Sequence, residues 1–423
     1  MPRILILSTT TGYQLRSFAD AAAKLGVDLV YATDRCHTLD DPWQDAAIPV
    51  RFHEEEDSVA RIVAEAQAGR FDGIVAVGDR PTVLAAMAAE RLALPGNPPD
   101  AARASANKLL ARSRYRDAGL GVPWYYVVQA NAGGRAASAD PRPRFPAVIK
   151  PLGLSGSRGV IRVDSPSEFV TAFERVRALL RRRDVRAMRS GLDDEILVEG
   201  FIDGCEYAVE GVLTSGTFQP LAIFEKPDPL AGPFFEETIY VTPPALPAAT
   251  EAAIIDQVQR GARALGLVHG PIHAECRLTA VGIFILEIAA RPIGGLCSKA
   301  LRFRRFDDAT SLEEILLRHA IGEDVTRWHR EAAASAVMMI PIPRRGVLRR
   351  VDGQDAARAV PRVEDVRITA KTDQLLEPLP EAGSYLGFIF ARATAARDAE
   401  AAVREAHRRL TFVIDTPIDV AAV

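Results

Sequence analysis

The chain has 423 residues, with 52 basic and 55 acidic side chains and a formal net charge of −3. This balance excludes broad electrostatic attraction to nucleic acid or to an anionic membrane surface, and the length predicts two to four packed units. No apolar run reaches the roughly 18 residues of a membrane span, and the N-terminal run Arg3 to Leu7 lacks the features of a signal peptide.

Four cysteines are spread along the chain without a CxxC pair or a zinc-like spacing of His. They are Cys36, Cys205, Cys276 and Cys297. A reduced compartment is the simpler interpretation, so we expect a cytoplasmic protein whose cysteines are packing residues. Only six of the basic residues are lysines. In so arginine-rich a chain, a lysine marks either a need for a compact ammonium or chance retention.

Apolar periodicity in the first hundred residues alternates between strand and helix. Strands are predicted at 3–8, 27–32 and 71–77, and helices at 12–25, ending at Gly26, and from Pro81. This alternation predicts a parallel α/β sheet. The Pro- and Gly-rich segment from Leu94 to Pro99 ends the pattern and marks the first domain boundary.

The next segment predicts a hairpin flap. A helix containing Asn107 and Lys108 precedes it, and residues 131–144 have the composition of a surface loop. A strand at 145–150 then ends in Lys150 and is followed by a Gly-rich loop and a strand at 160–163. The order of strand, loop and strand differs from the strand, loop and helix of a P-loop or Rossmann fingerprint.

The rest of the chain mixes helices and strands. The predicted elements are a helix at 166–182, a strand at 195–198, strand-rich sequence to about 223, a Pro-rich loop at 227–247, a helix at 250–265, strands at 272–278 and 282–288, and, beyond about Arg327, strands at 336–342 and 385–392 and a helix at 397–410.

The Gly-rich loop is a candidate phosphate site, because glycine lets successive backbone N–H groups approach an anion. Its candidate residues are Ser155, Gly156, Ser157 and Gly159. A flexible surface hairpin is the alternative for the loop alone. The two lysines Lys108 and Lys150 favour the phosphate interpretation.

A second candidate element is the apolar strand and loop from Ile196 to Glu206. Its backbone N–H and C=O groups could meet an adenine edge, with Phe201 and Ile202 against the ring. Glu206 could then accept hydrogen bonds from ribose hydroxyls. The alternative for each glutamate is a solvated charge at the end of a strand.

The third candidate element is a pair of acidic strands. Glu275 and Glu287 lie within apolar runs, and Arg291 follows the second. Buried carboxylates are costly unless a cation neutralises them, and magnesium held by two carboxylates and nucleotide phosphates fits that need. Arg291 could stabilise a transferring phosphoryl group. A structural pair of Glu and Arg is the alternative.

Taken in order, these elements resemble the ATP-grasp superfamily over roughly residues 1–325. The resemblance implies that Lys108 and Lys150 bind nucleotide phosphates, with Lys150 also catalytic. It also implies ATP contacts from the flap and from Glu199 to Ile202, a ribose contact from Glu206, a catalytic Arg291, and magnesium, or Mn²⁺ in its place, on Glu275 and Glu287. One departure is Ala289, where many members have an Asn that also binds metal, so no metal role is assigned there.

The pattern from Glu287 to Arg291 followed by Gly294 and Gly295, with His273 before Glu275, is similar to the L-amino acid ligase branch. His273, Gly294 and Gly295 are therefore candidate substrate-binding residues. The C-terminal run from Tyr385 to Arg392 is similar to the closing domain of such ligases.

The fold this resemblance implies is α/β, with four parts. They are an N-terminal parallel α/β domain at 1–104, a mobile flap subdomain at 105–190, a catalytic α+β subdomain at 191–326 and a small closing domain at 327–423.

The implied activity is an ATP-dependent ligase that joins a small-molecule carboxylate to an amine through an acyl phosphate and releases ADP. A carboxylase-like or nucleotide-biosynthetic ligase is the first alternative, and a nucleotide-binding module without catalysis is the second. We expect neither nucleic acid nor membrane as a partner. A homodimer formed through the N-terminal domain is compatible with the sequence.

Overall fold

The computed structural model of the chain describes residues 1–9, 14–34, 47–134 and 144–416. Cys36, the start of the predicted helix 12–25 and most of the predicted loop 131–144 lie outside these residues.

The strands are β1 (Arg3–Ser8), β2 (Asp28–Thr33), β3 (Ile48–Pro49), β4 (Gly73–Val77), β5 (Tyr125–Gln129), β6 (Ala147–Pro151), β7 (Ile161–Val163), β8 (Glu195–Gly200), β9 (Cys205–Thr214), β10 (Thr217–Lys226), β11 (Ile239–Thr242), β12 (Gly270–Thr279), β13 (Gly282–Ala289), β14 (Phe303–Arg305), β15 (Asp308–Thr310), β16 (His329–Arg330), β17 (Ala334–Ile340), β18 (Gly346–Asp352), β19 (Val363–Ile368), β20 (Leu375–Leu376), β21 (Gly387–Ala393) and β22 (Thr411–Asp415).

The helices are α1 (Leu15–Leu25), α2 (Glu55–Ala68), α3 (Thr82–Arg91), α4 (Pro99–Ala106), α5 (Lys108–Asp117), α6 (Pro166–Leu180), α7 (Arg183–Arg186), α8 (Ala248–Leu265), α9 (Leu312–Ala320), α10 (Gln354–Arg358) and α11 (Ala396–Arg408), with short 3-10 turns at Ala130–Ala132 and Cys297–Ala300.

These elements form two compact units. The first contains Met1–Val122, Tyr207–Ile223 and Leu246–Glu331, and the second contains Pro123–Glu206, Phe224–Ala245 and Ala332–Val423. The division into four domains by sequence stays a proposal.

The first unit contains the predicted parallel sheet, which the structure confirms. Strand β1 pairs in parallel with β2 and β4, and β3 completes the order β3-β2-β1-β4. Helix α1 ends at Gly26, whose φ of 62° closes the last turn in a left-handed conformation. The same unit contains β13, β12 and most of β9 and β10, which are neighbouring strands of one sheet. Helix α8 packs on them through Ile254, Val258 and Leu265.

The second unit contains the predicted flap and the C-terminal strands. Strands β5, β8, β6 and β7 form one antiparallel sheet, against which α6 packs through Phe169, Phe173 and Val176. Helix α6 begins with Ser165, which caps the N–H of Glu168, and with Pro166 in its first turn. Strands β11, β17, β21 and β19 are neighbours in another sheet, and β20, β18 and β22 form a third.

Two sequence expectations need correction in this unit. The Pro-rich stretch 227–247 is not loop throughout, because Ile239 to Thr242 form the buried strand β11, which pairs with β17. Four residues are too few to show a local period, so pairing with a distant strand decides their structure. The predicted helix 166–182 ends at Leu180 and is followed by the separate turn α7.

Across the described residues, every helix is too short or too polar to span a lipid bilayer.

Candidate functional site

The two predicted metal carboxylates lie opposite each other in the first unit. Glu275 on β12 and Glu287 on β13 are direct partners in the antiparallel register, and the register shifts immediately after Glu275. Direct partners place their side chains on the same face of the sheet, where two like charges repel. Both side chains are partly exposed, at 20% and 28%, so a ligand can reach them.

Lys108 approaches the same pair from helix α5. Its Nζ lies 3.8 Å from Glu287 Oε2. The position follows from the helix start, because the Asn107 side chain accepts hydrogen bonds from the N–H groups of Leu109 and Leu110 and makes Lys108 the first helical residue.

Two other side chains dock this helical region on β13. Ser105 Oγ donates to Ile288 O at 2.7 Å. The fully buried Arg112 donates to Leu286 O at 2.9 Å and to Ile285 O at 3.2 Å. The backbone on both sides of Glu287 is therefore held in place.

The predicted catalytic Arg291 is paired with Asp79. Arg291 Nε lies 2.8 Å from Asp79 Oδ1, and Nη2 lies 3.4 Å from Oδ2. Burial opposes the charge on this arginine, but the Coulombic attraction and hydrogen bonds of Asp79 outweigh it and raise the pKa of Arg291. Arg291 is thus a fixed cation, oriented by a carboxylate just beyond strand β4.

His273 lies between two carboxylates. Its Nδ1 is hydrogen-bonded to Glu210 Oε1, and its Nε2 lies 3.5 Å from Glu275 Oε1. Burial opposes protonation of the ring, but the attraction of Glu210 and its hydrogen bond raise the pKa of His273 to about 9. The imidazole is therefore protonated at neutral pH and contributes positive charge beside Glu275.

The two predicted substrate glycines lie in the loop after Arg291. Gly295 has a φ of 60°, a conformation that side chains rarely adopt. A Cβ at Gly294 would meet none of the described atoms within 4 Å, so close packing does not require glycine there.

The residues of the first unit fit a magnesium ion. Two carboxylates face the same side of a strand pair, and carboxylate oxygens are the ligands that magnesium prefers. Lys108 Nζ lies 3.8 Å from Glu287 Oε2, beyond hydrogen-bond distance.

In the second unit, Lys150, which is predicted to bind phosphate, is paired with Glu199, which is predicted to contact ATP. Lys150 Nζ is hydrogen-bonded to Glu199 Oε1 on the neighbouring strand, and both side chains are buried. A nucleotide phosphate would meet an ammonium that is already held in position by a carboxylate.

The Gly-rich loop contacts the C-terminal segment of the same unit. Gly159 N–H donates to Pro380 O at 2.9 Å, and Arg158 Nε donates to Glu381 O at 2.8 Å. The Glu381 carboxylate in turn accepts two hydrogen bonds from Arg175, at 2.6 and 2.9 Å. Gly156, Ser157 and Gly159 have positive φ values, which turn the loop back on itself.

Part of the segment predicted to contact adenine is already hydrogen-bonded within the protein. Phe201 N–H donates to Pro146 O at 3.1 Å, so this amide is not offered to a base. The Phe201 ring is covered by Arg162, whose Cζ lies 4.3 Å from the ring centroid. Ile202 is buried beside it.

The predicted ribose ligand Glu206 is paired with Lys226, a lysine outside the predicted site residues. Lys226 Nζ lies 2.7 Å from both Glu206 Oε1 and Glu237 Oε1. Tyr240 OH donates to the other oxygen of Glu237 at 2.8 Å. Lys226 is one of only six lysines in this arginine-rich chain. The rarity of lysine is a signal by which Lys226 could have been predicted as a site residue.

Asp79 and Glu210 were also missed. Asp79 comes soon after a parallel strand, where side chains meet ligands in open α/β sheets, so its position offered a signal. Glu210 offered the same signal as Glu275 and Glu287, a carboxylate within an apolar strand, but its partner could not be predicted from the neighbouring residues.

Three family matches cover most of the chain. Residues 143–300 match the ATP-grasp domain, residues 338–415 match the L-amino acid ligase C-terminal domain 2, and residues 19–96 match the ATP-grasp N-terminal domain.

The chain also resembles individual proteins. It is 30% identical over 324 residues to the uncharacterised protein y4rH of Sinorhizobium fredii, covering 76% of this chain and 64% of that protein. It is 27% identical over 237 residues to the alanine–anticapsin ligase of Bacillus subtilis strain 168, covering 53% of this chain and 49% of that protein. The chain thus spans less than two thirds of these curated relatives.

A solved structure covers almost the whole fold. The crystal structure of an L-amino acid ligase from Bacillus licheniformis superposes with a TM-score of 0.81 at 25% identity, covering 98% of this chain and 99% of that one. The chain belongs to the ATP-grasp superfamily, and its fold is of the L-amino acid ligase type.

Proposed function

We propose that the chain is an ATP-dependent carboxylate–amine ligase that forms an amide, dipeptide-like bond through an acyl phosphate. The observation that carries the proposal is the strand pair with Glu275 opposite Glu287, approached by Lys108. The alanine–anticapsin ligase and the L-amino acid ligase that the chain resembles bear names of the same reaction class.

The main role of the chain's own residues is to neutralise the negative charge of the nucleotide phosphates. Lys108, Lys150 and the Gly-rich loop bind nucleotide phosphates, and Arg291 counters the charge that develops on the transferring phosphoryl group. Glu275 and Glu287 would hold magnesium, which when bound supplies further positive charge to the phosphates.

Binding and shielding of the other reactants complete the roles. Glu199, Phe201, Ile202 and Glu206 bind the nucleoside, while His273, Gly294 and Gly295 serve the substrates. Closure of the flap excludes water, which matters because an acyl phosphate is readily hydrolysed.

The product of ATP cleavage tests this reaction class. The full chain, incubated with ATP, magnesium and mixed amino acids, should release ADP and phosphate, and hydroxylamine should trap a hydroxamate. Pyrophosphate as the main product would exclude the acyl phosphate. ADP formation driven by bicarbonate, and by no amino acid, would instead support the carboxylase-like alternative.

A further inference from the structure

Glu210 connects two parts of the first unit that carry separate proposed roles. Its side chain on β9 is 2% exposed. One oxygen is hydrogen-bonded to His273 Nδ1, and the other accepts the N–H of Ile293 at 3.0 Å. Since His273 Nε2 lies 3.5 Å from Glu275 Oε1, a continuous chain of contacts runs from a proposed metal ligand to the loop after Arg291.

The loop is held at Ile293 from both sides of the residue. Its N–H is bound by Glu210, and its C=O accepts a hydrogen bond from the buried side chain of Gln14. Ile293 lies between Arg291 and Gly294, so fixing its backbone fixes the region that joins them. A hydrophobic contact alone would leave this backbone freer to rotate.

The cost of burial makes this chain of contacts specific. A carboxylate and an imidazole removed from water are stable only while each keeps its partner. Hydrogen-bonded groups behind metal ligands commonly set ligand orientation and metal affinity.

We propose that Glu210 and His273 are a pair of positioning residues that couples the Glu275 carboxylate to the loop from Arg291 to Gly295. This inference rests on the proposed function, because it takes Glu275 as a metal ligand and the loop as substrate-binding. Through this pair, His273 serves the substrate by holding the loop in place.

The test compares E210Q, H273Q and the double variant with the wild type in the full chain. Mn²⁺ binding is measured by paramagnetic resonance with ADP present, and KM for mixed amino acids is measured separately from kcat. Each single variant should bind Mn²⁺ roughly tenfold or more weakly and should raise KM. The double variant should be no worse than the singles, because members of one chain of contacts are not additive.

The control is E314Q, which removes a buried carboxylate paired with Lys24 at 3.0 Å in the same unit. It should leave Mn²⁺ affinity and KM unchanged. If E210Q does not fold, the Mn²⁺ affinity and KM of H273Q alone test the inference. The inference is overturned if H273Q folds and keeps the Mn²⁺ affinity and KM of the wild type. It is also overturned if the effects of E210Q and H273Q add in the double variant. A wild type that binds Mn²⁺ but never forms ADP would instead refute the proposed function.

Discussion

The contacts around the acidic strands and those around the flap are built differently. Arg291 and Asp79 pair across 212 residues of sequence at a largely buried arginine, and Glu210 and His273 are both buried. The Gly-rich loop meets the C-terminal segment instead through hydrogen bonds to the carbonyls of Pro380 and Glu381, beside the pair of Arg175 and Glu381, whose side chains are 43% and 31% exposed.

This difference predicts that the region of the acidic strands is rigid and that the flap can detach from its contacts. Breaking a buried charge pair typically costs about 3–5 kcal/mol, whereas an exposed pair is worth about 0.2–1 kcal/mol. Fixed charges suit the stabilisation of a transition state, which needs groups already in place. Weak surface contacts suit a lid that must open in each cycle.

Arg291→Ala should have the largest effect if the first region acts through fixed charge. We expect kcat to fall by roughly 10²–10³-fold, as when one preorganised donor is removed, while ATP affinity is largely kept. Phosphate release and hydroxamate formation measure this. Arg103→Ala is the control, because Arg103 pairs with Glu55 at the surface. An equal fall in ATP affinity would show that Arg291 acts in binding rather than in the transition state.

Lys150→Ala should come next. A hydrogen bond to a charged group is worth about 1.5–3 kcal/mol, so we expect ATP to bind roughly 10–100-fold more weakly and turnover to be nearly lost. Calorimetric titration with ATP measures this. Lys24→Ala should be close to neutral because Lys24 is largely exposed, at 67%. Unchanged affinity in the Lys150 variant would remove this residue from the phosphate site.

A pH titration of stability tests burial in the first unit. Burial, together with the neighbouring His269, lowers the pKa of His319 from 6.5 to about 4. A lowered histidine pKa gives stability that is present above pH 6.5 and is lost as the pH falls toward 4. Between pH 7.5 and 6 we expect wild type to lose roughly 1 kcal/mol more than His319→Gln. Parallel denaturant midpoints for the two proteins across this range would contradict the assignment.

The smallest effect should come from the flap. Glu381→Ala removes the partner of Arg175, so hydrogen exchange of residues 153–159 should accelerate, and KM for ATP should rise by at most about fivefold. ATP with magnesium should restore protection. Glu405→Ala, which removes exposed pairs with Arg408 at the end of α11 and with Arg409 just after it, is the control. Equal protection with and without nucleotide would remove the lid from the mechanism.

Local patterns were sufficient to predict much of the fold. The parallel strands β1, β2 and β4 could be predicted because buried strands and amphipathic helices alternate there. The hairpin of β6 and β7 could be predicted because a Gly-rich loop separates two apolar strands. β11 could not, because its four residues are stabilised by pairing with β17 about a hundred residues later in the sequence.

The sequence by itself determined which glycines, carboxylates and lysines lie in which strands, helices and loops. Local patterns of apolar and polar residues are enough to place a residue in its own element. Only the tertiary structure decided their partners. Asp79 for Arg291, Glu210 for His273 and Lys226 for Glu206 join distant positions or different strands. The physical reason is that a buried charge is stabilised by the groups that the folded backbone brings within a few ångströms of it. Those groups come from distant parts of the sequence, so local patterns do not predict them.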